Sequence, residues 1–331
     1  LLSYGFGNEI YVPEHPQLAG RRFGELTASF PRAVLLGVAR REGGQLAPLL
    51  NPPDELVARA DDRFVLMAER FEDCGPEQSP TRAAAEVAPR PALEVGVRAE
   101  RRVLFLGWNH KAAELVHEFD SYQSERFEID VVSLIPAAER AAVLERHGAR
   151  PARITARQLE ADYTSRADMA RVDPASYDNV VFLSSDRMDR DETSDARTIL
   201  GYLVLADLLR DGARRPEVLV ELLDPENVSL FEPRAGEVII SPLLVSHILT
   251  QVALRRELGA VFDELFGPGG AEIFFRPAAQ LELSGRELSF AELEAWVRAH
   301  GEIALGVRSG AGAASVSYTH LTLPTTGSWG G

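Results

Sequence analysis

The stretch Arg102-Val103-Leu104-Phe105-Leu106-Gly107-Trp108-Asn109-His110 decides the fold. Its apolar run, Val103–Leu106, is followed at once by a glycine and polar residues, and Ala112–Phe119 then carries apolar residues at helical spacing. An apolar run without polar alternation is typical of a strand covered on both faces. The stretch therefore predicts a buried strand, a turn at Gly107 and a following helix.

The alternation of strands and helices continues toward the C-terminus. Further apolar strands are predicted at Ile129–Ile135, Asn179–Leu183, Glu217–Leu222 and Glu237–Ile240. Predicted helices, such as Ala137–His147 and Ala196–Leu209, separate them. Such alternation favours a parallel sheet with helices on both faces. Residues 100–242 are therefore predicted to form a doubly wound α/β domain.

Small β-rich α+β lobes are predicted on both sides of this domain. Residues 1–74 contain short strands separated by Pro and Gly turns, and residues 75–99 form a Pro- and Ala-rich linker without apolar periodicity. A helix predicted at Leu243–Leu258 precedes a second lobe at 267–309. That lobe is predicted to contain strands Glu272–Arg276, Gln280–Leu283 and Ile303–Val307 and a helix, Leu288–His300, capped by Ser289.

Composition narrows the class of protein. The 331 residues carry a formal net charge of −15, so nucleic acid is an unfavourable partner. Cys74 is the single cysteine, which excludes an internal disulfide and favours a reducing, cytoplasmic compartment. No run approaches the roughly 18 apolar residues of a membrane span. The chain begins with Leu1 instead of methionine, which predicts that it is an N-terminally shortened piece.

The C-terminal tail differs from the remainder of the chain. Ser317–Thr326, read Ser-Tyr-Thr-His-Leu-Thr-Leu-Pro-Thr-Thr, resembles a peptide produced when sequencing-adapter DNA is translated. Residues 315–331 are therefore predicted to be a non-native tail and are excluded from fold reasoning.

The turn after the first strand is the first candidate ligand site. A dinucleotide site requires Gly-x-Gly-x-x-Gly here, so that backbone amides approach the pyrophosphate. Only Gly107 is present, Trp108 is bulky, and the second strand ends without the acidic residue that binds ribose. The dinucleotide motif is therefore degenerate. Asn109, His110 and Lys111 are candidates for holding an anion at the helix N-terminus.

An acidic loop is the second candidate. Ser184, Ser185 and Asp186 follow a strand, and four further carboxylates precede or begin the next helix: Asp189, Asp191, Glu192 and Asp195. Oxygen-rich loops suit Ca²⁺ or Mg²⁺, which makes Asp186, Asp189, Asp191 and Glu192 candidate metal ligands. The alternative is that the helix dipole stabilises these carboxylates without a metal.

Glu221 and Asp224 end a later strand and complete the candidate crevice. Ligands of doubly wound sheets bind at the carboxyl ends of strands, near the reversal of strand order. The alternative for Asp224-Pro225 is a simple turn. Ca²⁺ and a nucleotide are the candidate ligands. No nucleophile–base pair, phosphate loop or metalloprotease motif is present in the sequence, which predicts a protein that is not an enzyme.

The order of the motifs resembles the Castor/Pollux ion channel family and its bacterial members. The resemblance is carried by the following segments: Gly7–Tyr11, Pro16–Gly20, Phe30–Ala33, Asn51–Asp54, Asp61–Arg63, Leu104–Trp108, Glu221–Pro225, Asp263–Phe266, Arg276–Pro277 and Leu288–Phe290. This family carries RCK-type (regulator of K⁺ conductance) domains, similar to TrkA-N domains, after a membrane pore.

The resemblance implies a domain plan and a role. Residues 1–74 correspond to the C-terminal lobe of a first RCK-type unit, and residues 100–242 to the Rossmann-like domain of a second. Residues 243–266 correspond to the crossover helix, and residues 267–309 to the closing lobe. The implied role is the cytosolic gating ring of a membrane cation channel, tetrameric and joined to an upstream transmembrane pore.

Two other functions remain open from the sequence. The α/β pattern alone suggests an NAD(P)-binding oxidoreductase. Some RCK-type proteins are instead separate soluble subunits that dock on a transporter pore.

Overall fold

A computed structural model describes the following residues: 8–77, 90–93, 100–121, 126–146, 154–185, 191–210, 212, 214–231, 237–267, 270–307 and 320–322. The chain divides into two compact units. Unit 1 comprises Leu1–Glu94 and Leu249–Gly331, and unit 2 comprises Val95–Ile248. In the described part of the chain, no helix is both long and apolar enough to cross a membrane.

The strands are β1 (Glu9–Tyr11), β2 (Val34–Glu42), β3 (Gln45–Leu50), β4 (Arg63–Ala68), β5 (Arg101–Leu106), β6 (Phe127–Ser133), β7 (Thr155–Glu160), β8 (Asn179–Phe182), β9 (Glu217–Leu222), β10 (Glu237–Ile240), β11 (Glu287–Ser289) and β12 (His320–Thr322). The α-helices are α1 (Phe23–Leu26), α2 (Ala112–Ser121), α3 (Ala137–Arg146), α4 (Arg166–Val172), α5 (Asp191–Leu208), α6 (Ser241–Leu254), α7 (Leu258–Phe266) and α8 (Phe290–Arg298).

Unit 2 is built on a parallel six-stranded sheet. Its strand order is β10–β9–β8–β5–β6–β7, so the chain runs outward in one direction from β5 and in the other from β8. This is the order of dinucleotide-binding α/β domains, in which the reversal lies between the two central strands. The predicted doubly wound fold is confirmed.

The central strand shows why the sheet is covered on both faces. Val103 and Phe105 pack in one apolar cluster with Val116 of α2. Leu104 and Leu106 pack in another cluster with residues of α4 and α5. Successive strand residues point to opposite faces, so an unbroken apolar run fills two cores at once.

Unit 1 contains a four-stranded antiparallel sheet in the order β1–β4–β2–β3. Its core includes Phe23, Phe30 and Phe64. The strand β3 was not among the predicted strands; it lies at an edge of the sheet and contains Pro48. Proline cannot donate to a ladder and is tolerated only at such an edge.

The two β-rich segments meet within unit 1. The Arg298 guanidinium at the end of α8 forms an ion pair with Asp54, donates to Thr27 Oγ1 at 3.2 Å, and lies 5.0 Å from the Phe23 ring. Asn51 Nδ2 also donates to the Gly301 carbonyl at 2.7 Å. The segments predicted as lobes 1–74 and 267–309 are therefore joined, whereas the boundaries proposed for the lobes and the linker stay predictions.

Several predicted elements of the C-terminal part are corrected. The three strands predicted at 272–276, 280–283 and 303–307 are extended or turn segments, with only an isolated bridge at Val307. Their composition favours strands, but a strand also requires a ladder partner. Backbone pairing in this region instead joins β11 to β12, which lies inside the predicted tail.

The single helix predicted over 243–266 is two helices. α6 ends at Leu254 and α7 begins at Leu258. The Arg255 side chain between them donates to the Ile10 carbonyl of β1 at 2.8 Å and to the Glu9 carboxylate. The helix predicted around Leu288–His300 is confirmed as α8, and Ser289 and Glu292 form its capping box.

Candidate functional site

The candidate site lies in unit 2, where the loops after β5, β8 and β9 meet. Gly107 ends β5 with φ +109°, and a Cβ there would lie 2.3 Å from the Leu183 carbonyl oxygen. The glycine is therefore required by the close approach of the loop after β8. No phosphate ligand is needed to explain why a glycine stands at this position.

Trp108 occupies the place of the second glycine in a dinucleotide motif. Its side chain is buried in the apolar cluster that also holds Phe105 and Val131. The guanidinium of Arg140 lies 6.0 Å from the ring centroid. The turn thus has a side chain packed in the core where a dinucleotide motif has its second glycine.

Asn109 uses its side-chain amide inside the protein. Its Nδ2 donates to the Ser184 carbonyl at 2.8 Å and to Glu221 Oε2 at 3.2 Å, and its Oδ1 accepts from the Lys111 backbone N–H at 3.0 Å. Asn109 and Ser184 are both buried. The amide therefore joins the turn after β5 to the ends of β8 and β9.

Glu221 is the centre of this network. Its Oε2 also accepts from the Ser184 backbone N–H at 3.1 Å, and its Oε1 accepts from Lys111 Nζ and from Ser241 Oγ. A buried carboxylate is stable when donors surround it in this way. We name the five residues Asn109, Lys111, Ser184, Glu221 and Ser241 the Glu221 network.

Asp195 forms a second buried centre beside the Glu221 network. Its carboxylate accepts from the backbone N–H groups of Leu223 and Asp224 at 3.0 and 2.9 Å, and from Asn227 Nδ2 at 2.9 Å. Asp224 Oδ1 in turn accepts from the Glu226 N–H at 2.9 Å, which caps the turn that follows. The carboxylates of Asp195 and Asp224 thus both accept hydrogen bonds from the loop after β9.

The predicted site residues separate into groups. Gly107, Asn109, Ser184 and Glu221 come together, and Trp108 lies beneath them. His110 is exposed and Ser185 is half-buried. Asp186 and Asp189 lie outside the described residues, as do the side chains of Asp191 and Glu192, so the metal site stays a prediction. Within the described residues, no group of three His, Cys, Asp or Glu side chains is placed to hold a metal.

Two participants were missed by sequence reasoning. Ser241 gave no signal, because a serine at a helix start is explained by capping alone. Arg140 did give a sequence signal, because it lies four residues before Leu144 and therefore on the same, buried face of α3. Its guanidinium donates to three carbonyls and to Gln158 Oε1 at 2.7–2.9 Å. A basic residue in phase with the apolar face of a helix predicts such a buried guanidinium.

Known proteins resemble this chain over most of its length. Residues 1–83 match the family described as Castor and Pollux, part of voltage-gated ion channel. The ion channel CASTOR of Lotus japonicus is 25% identical over 338 residues, which is 92% of this chain and 39% of that protein. The probable ion channel CASTOR of rice is also 25% identical, over 92% of this chain and 37% of its own length.

This chain is similar to the Castor and Pollux ion channels. It spans less than half the length of these Castor relatives. Among solved structures, the human SLO3 gating ring resembles it in fold, with a TM-score of 0.55 and 15% identity over 79% of this chain and 52% of that one. The Castor/Pollux resemblance stated from the motifs is thereby confirmed.

The glycine turn gives a direct test of the site geometry. We expect Gly107→Ala to lower the free energy of unfolding by about 1–3 kcal/mol, because alanine is strained at positive φ and its Cβ meets Leu183. Gly43→Ala is the matched control, since Gly43 also has positive φ but faces open space. Equal losses in urea denaturation for the two variants would contradict the close contact at Gly107.

Proposed function

We propose that this chain is the regulatory, gating-ring region of a membrane cation channel and lies on the cytoplasmic side. The observation that carries the proposal is the similarity to named ion channels over 92% of the chain. The fold likeness to a gating ring agrees with it. In this role a ligand acts by binding one arrangement of the ring more tightly than another.

The candidate site supports regulation more than chemistry. Asn109, Ser184 and Glu221 donate to and accept from one another, and Trp108 is packed in the core. Catalysis requires groups directed at a substrate, with a base in reach of a nucleophile. We therefore propose that unit 2 is a structural and regulatory domain and that the chain is not an enzyme.

The membrane attachment is tested by sequencing the gene upstream of Leu1. We expect several in-frame apolar segments of about 20 residues, the length required to cross the bilayer. A coding region that opens with a polar segment and contains no such span would contradict the fused channel. It would favour a separate subunit that docks on a transporter pore.

Assembly into a ring is proposed through α6. This helix has exposed apolar side chains at Leu243, Leu244, Val245, Leu249 and Leu254. An apolar helix surface of this kind is typical of a protein–protein interface. A tetramer is the assembly that the proposed ring requires.

The assembly is tested by light scattering after size-exclusion chromatography. We expect the chain to form oligomers, and the double variant L244E/L249E to shift to monomers, because charges oppose burial of this surface. Leu230→Glu is the control, since Leu230 is equally exposed outside α6. Monomeric wild-type protein, or unchanged oligomers in the double variant, would contradict assembly through α6.

Dinucleotide binding is the second candidate function, because the strand order of unit 2 is the dinucleotide-binding order. We expect no saturable heat when NADH or NADPH is titrated up to millimolar concentration, since Trp108 replaces the second glycine of the motif and polar groups around the turn are already paired in the Glu221 network. Saturable micromolar binding that Gly107→Ala abolishes would establish this alternative.

A further inference from the structure

Unit 1 contains a cavity of about 650 Å³. The segment Tyr11–His15 forms one wall, and Arg63, Phe71, Arg255 and Glu257 form the others. Pockets of about 300–1,000 Å³ hold small molecules in proteins. The cavity is separate from the crevice of unit 2 and contains none of its residues.

An exchangeable carboxylate partner lies in this cavity. Arg63 Nη2 is 2.6 Å from Glu14 Oε1, and the Glu14 side chain is 61% exposed. Ion pairs with so exposed a partner contribute little to stability, so Glu14 is readily replaced. The guanidinium of Arg63 thus pairs with the Glu14 carboxylate, and a ligand carboxylate can take the place of Glu14.

The second guanidinium of the cavity is fixed. Arg255 forms an ion pair with the largely buried Glu9, donates to the Ile10 carbonyl at 2.8 Å, and lies 4.6 Å from the Tyr11 ring. Its contacts hold the cavity wall in place. Arg63 is therefore the group positioned to take a new anionic partner.

An exposed aromatic ring lies beside these charges. Phe71 is 59% exposed, and its ring is 5.7 Å from that of Tyr11 in an edge-to-face arrangement. Covering a phenyl ring with an apolar group is favourable in proportion to the area removed from water. The cavity therefore offers an apolar surface next to a guanidinium.

The remaining charges of the cavity are negative. Burial lowers the pKa of His15, so its ring is neutral near pH 7 and adds no positive charge. Glu257, which also lines the cavity, is half-buried, and Glu14 becomes available once it leaves Arg63. Carboxylates in these places suit an ammonium group.

We propose that this cavity binds a free amino acid with a large apolar side chain. The ligand carboxylate pairs with Arg63, its ammonium group pairs with Glu14 and Glu257, and its side chain covers Phe71. The three groups of such a ligand match three chemically different parts of the cavity lining. This site is independent of the proposed channel role, because it requires only unit 1.

Calorimetric titration of the chain with L-phenylalanine tests the proposal. We expect saturable binding, and binding at least tenfold weaker for phenethylamine, which lacks the carboxylate, and for 3-phenylpropionate, which lacks the ammonium group. No saturable heat with L-phenylalanine, or equal binding of all three compounds, would overturn the proposal.

Two variants locate the binding in the cavity. Arg63→Gln and Phe71→Ala are each expected to weaken L-phenylalanine binding by about tenfold or more. Their controls are Arg166→Gln, from an exposed ion pair in unit 2, and Phe266→Ala, an exposed ring on α7. Phe71 is mostly exposed, so its variant folds even if Arg63→Gln does not. Unchanged affinity in Phe71→Ala would place the ligand elsewhere and overturn the site.

Discussion

Arg140→Ala is expected to lower the free energy of unfolding of unit 2 by about 3–5 kcal/mol. The side chain is fully buried, and burial lowers the pKa of its guanidinium. The substitution leaves a void and removes four hydrogen bonds, three of them to the carbonyls of Val131, Ile135 and Leu159. These carbonyls end β6 and β7, so the loss affects the whole edge of the sheet.

Urea denaturation followed by circular dichroism measures this effect. Arg146→Ala is the matched control, because Arg146 lies on the same helix with its side chain at the surface. We expect Arg140→Lys to recover little stability, since an ammonium group cannot reproduce the planar fork of donors. A difference of less than about 1 kcal/mol between R140A and R146A, within the usual effect of a surface substitution, would show that the guanidinium is dispensable.

Glu221→Ala is expected to cost about 2–4 kcal/mol, because it leaves the buried Ser184 N–H and part of the Asn109 amide without an acceptor. Lys111 is nearer the surface and regains water, which limits the loss. Glu221→Gln keeps the volume but replaces one acceptor oxygen by a donor, so we expect it to recover only part of the stability.

A double-mutant cycle separates the ion pair from the other contacts. Glu221→Gln and Lys111→Met are measured alone and together, and a coupling energy above about 0.5 kcal/mol is expected for residues in one network. Glu226→Ala serves as the control for an exposed carboxylate on the following turn. Additive losses would mean that Lys111 and Glu221 act independently, in contradiction to the network.

The sequence predicts the sheet of unit 2 better than its polar contacts. Five of its six strands are signalled locally by an apolar run, and Gly107 marks the turn, but β7 (Thr155–Glu160) has no such run. The partners of Glu221 come from segments 110 residues before it, in Lys111, and 20 residues after it, in Ser241. The spacing of residues along the chain does not reveal which side chains meet in the fold. Glu221 was therefore recognised as a candidate together with Asn109 and Ser184 but without Ser241.

The wrongly predicted strands of unit 1 have the same cause, since local sequence patterns do not show tertiary contacts. Strand composition at 272–276 predicted a ladder, but no ladder partner is placed beside it in the described part of the chain. In β3 the error was opposite, because no strand was predicted there although the adjacent β2 supplies a partner. In both cases the presence or absence of a neighbouring strand determined whether a strand formed. A local sequence pattern does not show that neighbour.

The strand order of unit 2 has a consequence for synthesis of the chain on the ribosome. Val103 of β5 pairs with Ile129 soon after both are made, but its other partner, Asn179, follows much later. Until β8 emerges, the apolar strand β5 has an open edge, which favours aggregation. Folding of unit 1 is completed later still. Its Asp54 can pair with Arg298 only after all of unit 2 has been translated. Nascent chains stalled before Asn179 are therefore the ones that most need a chaperone.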